Sequence, residues 1–154
     1  MELLGKCYAM KKKKINPAPQ VRLPNKVRSK TTYGTHLEKG DNVIVDPYCK
    51  IGDYCLLGDG VKILGISTLG DKVRIGANSD LFEVTIRDNV RIGKNCHIDN
   101  TLIHHGTRIG NHVSIGDHSI IGSKCQVGDD IKLPPETHLK HGSRIFYKRS
   151  QGEG

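Results

Sequence analysis

The feature that most constrains this chain is an aliphatic residue that returns at every sixth position for about a hundred residues. The anchors run Val45, Ile51, Leu57, Ile63, Leu69, Ile75, Leu81, then Ile86, Ile92, Ile98, then Ile103 and onward in sixes to Ile145. Every step is six residues except Leu81 to Ile86 and Ile98 to Ile103, which are five. An amphipathic helix repeats near 3.6 residues and a lone strand at two, so a sustained period of six belongs to a repeat architecture. Two residues before each anchor stands a side chain that is nearly always small or β-branched, as at Val43, Cys49, Ser67, Val84, Thr107 and Cys125. In a strand, an offset of two puts both residues on one face. Each unit is therefore a short strand with two inward side chains and one outward side chain between them.

Glycine follows many anchors, as at Gly52, Gly76, Gly93 and Gly110, and Asp, Asn or Lys comes next. That is turn chemistry. Strand and turn in alternation make a parallel β-coil, with three units closing one triangular coil of about 18 residues. Eighteen anchors give about six coils, stacked at the strand spacing of about 4.8 Å. The composition agrees, since 5% aromatic residues, no tryptophan and 18 glycines suit thin layers better than a helical bundle. A length of 154 residues predicts one domain.

The repeat resembles that of the hexapeptide-repeat proteins, whose fold is the left-handed parallel β-helix. The resemblance covers residues 43–147 and implies an all-β, left-handed parallel β-helix of about six triangular coils, preceded by a basic N-terminal arm, 1–42, and followed by a tail, 148–154. It also implies a homotrimer, because trimers are usual in that family.

Five cysteines, with no C-x-x-C pair, favour neither a disulfide framework nor a zinc knuckle. Cys49, Cys55, Cys96 and Cys125 hold the small inward position, where a thiol acts as a small hydrophobe. No metal is expected.

Outward residues, taken every third unit, sort onto three faces. The first, from Ile44 and Lys62 to Lys132, is mixed. The second, Lys50, Thr68, Thr85, Leu102, Ile120 and His138, is apolar in the middle and is the expected contact face of the trimer. The third, Leu56, Arg74, Arg91, Arg108, Gln126 and Arg144, carries a column of arginines. Such arginines either splay into water and pair with turn carboxylates or form an anion site, since a guanidinium grips phosphate in bidentate fashion. Phosphates of coenzyme A or of a nucleotide-sugar fit the second alternative.

The string I-H-H-G-T-R-I-G, Ile103 to Gly110, resembles the histidine motif I-x-H-x-x-x-I-G of hexapeptide acyltransferases, among them lipid A acyltransferases and bacterial sugar N-acetyltransferases. His105 matches the catalytic histidine of that motif. The resemblance implies acyl transfer from acetyl-CoA or another acyl-CoA to a sugar-like amine or hydroxyl. His105 would act as general base, with Asp88, one coil earlier, as its orienter ahead of Asp99 and Asp117 at other corners, and Arg91 and Arg108 as anion contacts. The segment L-P-P-E-T-H-L-K-H-G-S-R-I, 133–145, resembles the acetyltransferase ending P-P…G-N-P-A-K but lacks the N-P-A.

Two other resemblances stay open. Five-residue steps in strings like I-D-N-T-L-I also occur in the C-terminal β-helices of nucleotide-sugar pyrophosphorylases, which implies a non-catalytic assembly or regulatory module. The glycine-rich G-G-x-G-x-R nucleotide loop of those enzymes is absent from this sequence. The γ-class carbonic anhydrases share the fold and bind metal through three histidines, but His112 and His118 are spaced six apart where that pattern needs five.

Residues 1–42 hold ten Lys and Arg against three Asp and Glu, leaving +7 of the chain's +8. Pro17, Pro19 and Pro24 exclude a long helix there. The arm reads as a solvated cover for one open end of the coil, or as a contact to nucleic acid or an anionic membrane. No apolar run approaches the roughly 18 residues of a membrane span. The lysines follow a short apolar patch rather than precede it, so a cytoplasmic location is expected.

Overall fold

The computed structural model describes residues 31–146. Within them the chain is all β: twenty short strands form three parallel sheets, with no helix among the described residues. Successive strands pass from sheet to sheet, giving a triangular solenoid of about six turns. The first sheet stacks six strands with Ile44, Lys62, Asp80, His97, Ser114 and Lys132 in register. The second stacks seven, from Thr32 through Lys50, Thr68, Thr85, Leu102 and Ile120 to His138. The third stacks seven, from Glu38 through Leu56, Arg74, Arg91, Arg108 and Gln126 to Arg144. Both five-residue steps fall at the corner from the first sheet to the second. One edge of the prism shortens twice in succession, and all three sheets keep their register.

The interior follows the two inward positions of each unit. The anchors Ile63, Leu81, Ile98, Ile103 and Ile121 are fully buried, as are Val61, Val73, Val84 and Val90 in the smaller position. Each buried aliphatic side chain contributes about 1.5–3 kcal/mol. Hydroxyls in the small position are satisfied by turn carbonyls: Ser67 Oγ donates to Leu64 O at 2.9 Å, Ser79 Oγ to Gly93 O at 3.0 Å and Thr107 Oγ1 to Gly122 O at 2.7 Å. The thiols act alike, with Cys55 Sγ and Cys96 Sγ each 3.1 Å from a glycine carbonyl. Burial pushes the Cys49, Cys55 and Cys96 thiols above their ordinary value, against opposing backbone hydrogen bonds.

The turn glycines earn their place by close packing rather than by a left-handed backbone. A Cβ on Gly93 would lie 2.5 Å from the Gly110 carbonyl oxygen of the next coil. The left-handed residue comes two positions later and is usually not glycine: Asn78, Asn95, Lys72, His112, His118 and Asp130 all have φ between 56° and 60°. His112 and His118 therefore serve as turn residues.

From sequence, the solenoid starts at residue 43; the structure starts it earlier. Strands Thr32–Tyr33 and Glu38–Lys39 pair with Lys50–Ile51 and Leu56–Leu57. Tyr33 and Lys39 hold anchor positions there. Among the described residues the outermost coil is covered from one side only, so its anchors need not be aliphatic. The Lys39 ammonium lies 5.6 Å from the centre of the Tyr33 ring. The remainder of the basic arm, residues 1–30, and the tail from residue 147 lie outside the described residues.

Two outcomes follow from this packing. Gly93→Ala should cost about 1–3 kcal/mol of stability, read as a lower midpoint in urea unfolding; an unchanged midpoint would contradict the close approach. In a Cys7→Ser background, a thiol reagent at neutral pH should leave Cys49, Cys55, Cys96 and Cys125 unmodified until the protein is unfolded. Rapid labelling of the folded protein would show that these thiols are accessible.

Candidate functional site

The residues nominated from sequence gather on the edge where the second sheet turns into the third. Two columns of turn residues run along it. The outer column, His36, Tyr54, Lys72, Asn89, Gly106 and Lys124, is left-handed throughout. The other holds Asp53, Asp71, Asp88, His105 and Ser123. Its aspartates form a ladder along the prism: Thr35 N–H donates to Asp53 Oδ1 at 2.7 Å, Asp53 N–H to Asp71 Oδ1 at 2.8 Å and Asp71 N–H to Asp88 Oδ1 at 2.8 Å. Each carboxylate thus satisfies an amide of the preceding coil that no strand pairs.

His105 holds the next rung of that ladder and departs from it. The side chain is exposed, and its Nδ1 lies 3.4 Å from Ser123 Oγ. Asp88 and His105 are consecutive in the column, yet no hydrogen bond joins them. The Asp88 oxygen turns toward Asp71, on the side away from His105. The nominated base and the nominated orienter are therefore neighbours without being partners.

Arg91 lies in register between Arg74 and Arg108 on the adjoining sheet. All three are exposed. Together with Tyr54, Lys72, Asn89 and Gly106 they line an open cleft of about 470 Å³. The cleft ends at Gly106, the residue after His105. The alternative in which these arginines pair with turn carboxylates is not what the structure adopts. Among the described residues the only side-chain contact of this kind joins His97 and Asp99 at 3.1 Å on the first sheet, an ion pair only when the imidazole carries a proton. The nearby carboxylates are engaged by backbone amides instead. Like charges a strand spacing apart repel one another, and the cleft lining holds four cations, Lys72, Arg74, Arg91 and Arg108, and no carboxylate.

Tyr54 and Lys72 were not legible as members of this site. The only signal for them is their place two residues before the outward residue of the third sheet, which puts them on the rim of the arginine column. On the second sheet, Ile120 is 41% exposed and Leu102 is half-buried, leaving an apolar strip in the middle of that face. Among the described residues no three His, Cys, Asp or Glu side chains converge as metal ligands would. His112 and His118 sit at different corners, His118 with its Nε2 3.3 Å from Asn100 Nδ2. No helix among the described residues is long and apolar enough to cross a membrane.

No curated protein sequence matches the chain. Among solved structures, a point mutant of perosamine N-acetyltransferase from Caulobacter crescentus, in complex with CoA and GDP-perosamine, superposes with a TM-score of 0.53 at 17% identity, over 68% of this chain and 50% of that one. The chain thus spans about half the length of that enzyme. A putative acetyltransferase from Bacillus cereus gives 0.37 at 18% identity, over 71% and 77% of the two chains. An Arabidopsis UDP-N-acetylglucosamine acyltransferase gives 0.33 at 17% identity, over 76% and 60%. The first likeness supports the hexapeptide-repeat solenoid as the fold. A family model described as the EIF2B subunit epsilon LbH domain, a left-handed β-helix, matches residues 33–133. The chain belongs to the family of that domain.

Proposed function

We propose that this chain is a non-catalytic assembly or regulatory β-helix module that associates as a homotrimer through its second sheet. The observation that carries this reading is the separation of the nominated acid from the nominated base. Asp88 accepts the Asp71 amide at 2.8 Å as part of a structural ladder, and His105 has a serine hydroxyl at 3.4 Å as its neighbour. A serine cannot compensate the charge an imidazole acquires when it takes a proton, whereas a carboxylate can. Membership in the family of a β-helix domain from a subunit of EIF2B supports the same reading. The strip around Leu102 and Ile120 supports the choice of contact face, because apolar surface removed from water is the main source of association energy.

Acyl transfer is the second reading, and one observation favours it. His105 follows three consecutive aspartates in its column, so its side chain is not explained by the ladder, and the cationic cleft ends beside it. In that reading His105 removes the proton from a sugar-like amine or hydroxyl as it attacks an acyl-CoA thioester. Arg91 and Arg108 hold phosphates of the donor, and Asp88 must leave its amide to orient the imidazole. The perosamine N-acetyltransferase complex contains CoA and a sugar nucleotide, which is the donor and acceptor chemistry this reading requires. A cytoplasmic location belongs to both readings.

The two readings differ in one assay. With acetyl-CoA and a panel of amino-sugar nucleotides, the module should release CoA no faster than without acceptor, and His105→Ala should behave identically. Acceptor-dependent release that His105→Ala abolishes would overturn the module reading. In sedimentation velocity the protein should run as a trimer, and Ile120→Glu should lower its mass to that of a monomer without changing its circular dichroism.

A further inference from the structure

The four cations of the edge cleft do not stand alone, and their arrangement has a direction. At one end, the Tyr54 ring is 55% exposed. His36 stacks on it with centroids 4.5 Å apart and planes 4° from parallel. Tyr54 lines the cleft and His36 does not, so one ring face is taken by His36 while the tyrosine remains part of the cleft wall. Next come Lys72 with Arg74, then Asn89 with Arg91, then Gly106 with Arg108. From the Tyr54 coil to the Gly106 coil is three strand spacings, about 14 Å. That is comparable to the extended length of a nucleoside diphosphate. Gly106 places no side chain at the far end, where its neighbours in the column carry Asn89 and Lys124.

We propose that this cleft is a binding site for a nucleoside diphosphate, with the base stacked on Tyr54 and the diphosphate held by Arg91 and Arg108. An exposed ring accepts any base on its π-face, and neighbouring guanidiniums suit a pair of linked phosphates. Bound phosphate would also relieve the repulsion within the arginine column. Lys72 and Arg74 lie between the two ends, where the ribose falls. The inference uses the two arginines that the acyl-transfer reading assigns to the donor's phosphates, but it requires neither that reading nor the module reading to hold. Free nucleotide and the nucleotide half of CoA share this chemistry, and the acylated end of CoA plays no part in it.

The test is calorimetric titration of the full chain at low ionic strength with ADP, CoA, AMP, adenosine and pyrophosphate. ADP and CoA should bind, AMP more weakly, and adenosine not measurably. The double variant Arg91→Ala/Arg108→Ala, whose side chains are exposed, should bind ADP about tenfold more weakly or worse. Tyr54→Ala should weaken ADP severalfold and leave pyrophosphate unchanged, which separates base stacking from general charge. Binding of CoA without ADP would assign the site to the pantetheine arm and overturn the proposal. So would a single-stranded oligonucleotide that binds far more tightly than ADP, or ADP affinity that survives loss of both arginines. The ADP titration involves neither acyl donor nor acceptor, so a failed transferase assay and a failed nucleotide site give different results.

Discussion

Everything in this molecule depends on hydrogen bonding from one coil to the next. Strand amides donate along the prism axis to the coil that follows, as from Arg74 to Val90 at 2.9 Å, Arg91 to Thr107 at 3.0 Å and Arg108 to Cys125 at 2.9 Å. Each coil is thin, and no coil holds a core of its own. Its inward side chains are covered by the coils on either side, which is why repeat proteins gain stability from neighbours. The end coils show the converse: Leu37, Val43 and Val45 at one end, and Leu133, Leu139 and Ile145 at the other, are only partly buried.

The same geometry turns sequence repetition into columns on the surface. A residue type recurring at one phase of the repeat is stacked on itself a strand spacing away. Where the type is aspartate at the turn, the column becomes a ladder of side-chain oxygens capping amides, and its charge is used in holding coils together. Where the type is arginine on a flat sheet, the charges have no such use and accumulate. The contrast between these adjacent columns, one consumed by the fold and one left over, is the physical basis for a site on this edge. His105 is informative for the same reason, since it ends a run of three aspartates that have a structural task.

Most of the fold was legible because two inward positions per six residues leave little freedom. The assignment of Arg74, Arg91 and Arg108 to one face, or Leu102 and Ile120 to another, needed only counting. The start of the solenoid was not legible, because Tyr33 and Lys39 stand where an aliphatic anchor is expected and the outermost coil tolerates them. The use of the turn carboxylates was also hidden. Asp88 lies next to His105 in any paper construction, but the direction its oxygen takes depends on an unpaired amide of the preceding coil. Tyr54 and Lys72 escaped notice because residues of a turn carry no pattern of their own until the corners are stacked.

The registration of the arginine column is the central claim, and a cross-link tests it directly. In a Cys7→Ser background, cysteines replacing Arg91 and Arg108 occupy paired positions on adjacent strands, with Cα atoms about 4.8 Å apart, within the range a disulfide spans. Mild oxidation should join them in the folded protein. A control pair replacing Arg91 and Ser114 lies on different sheets and should stay reduced. Failure of the first pair to close, or equal closure of both, would contradict the stacked prism and the cationic edge that depends on it.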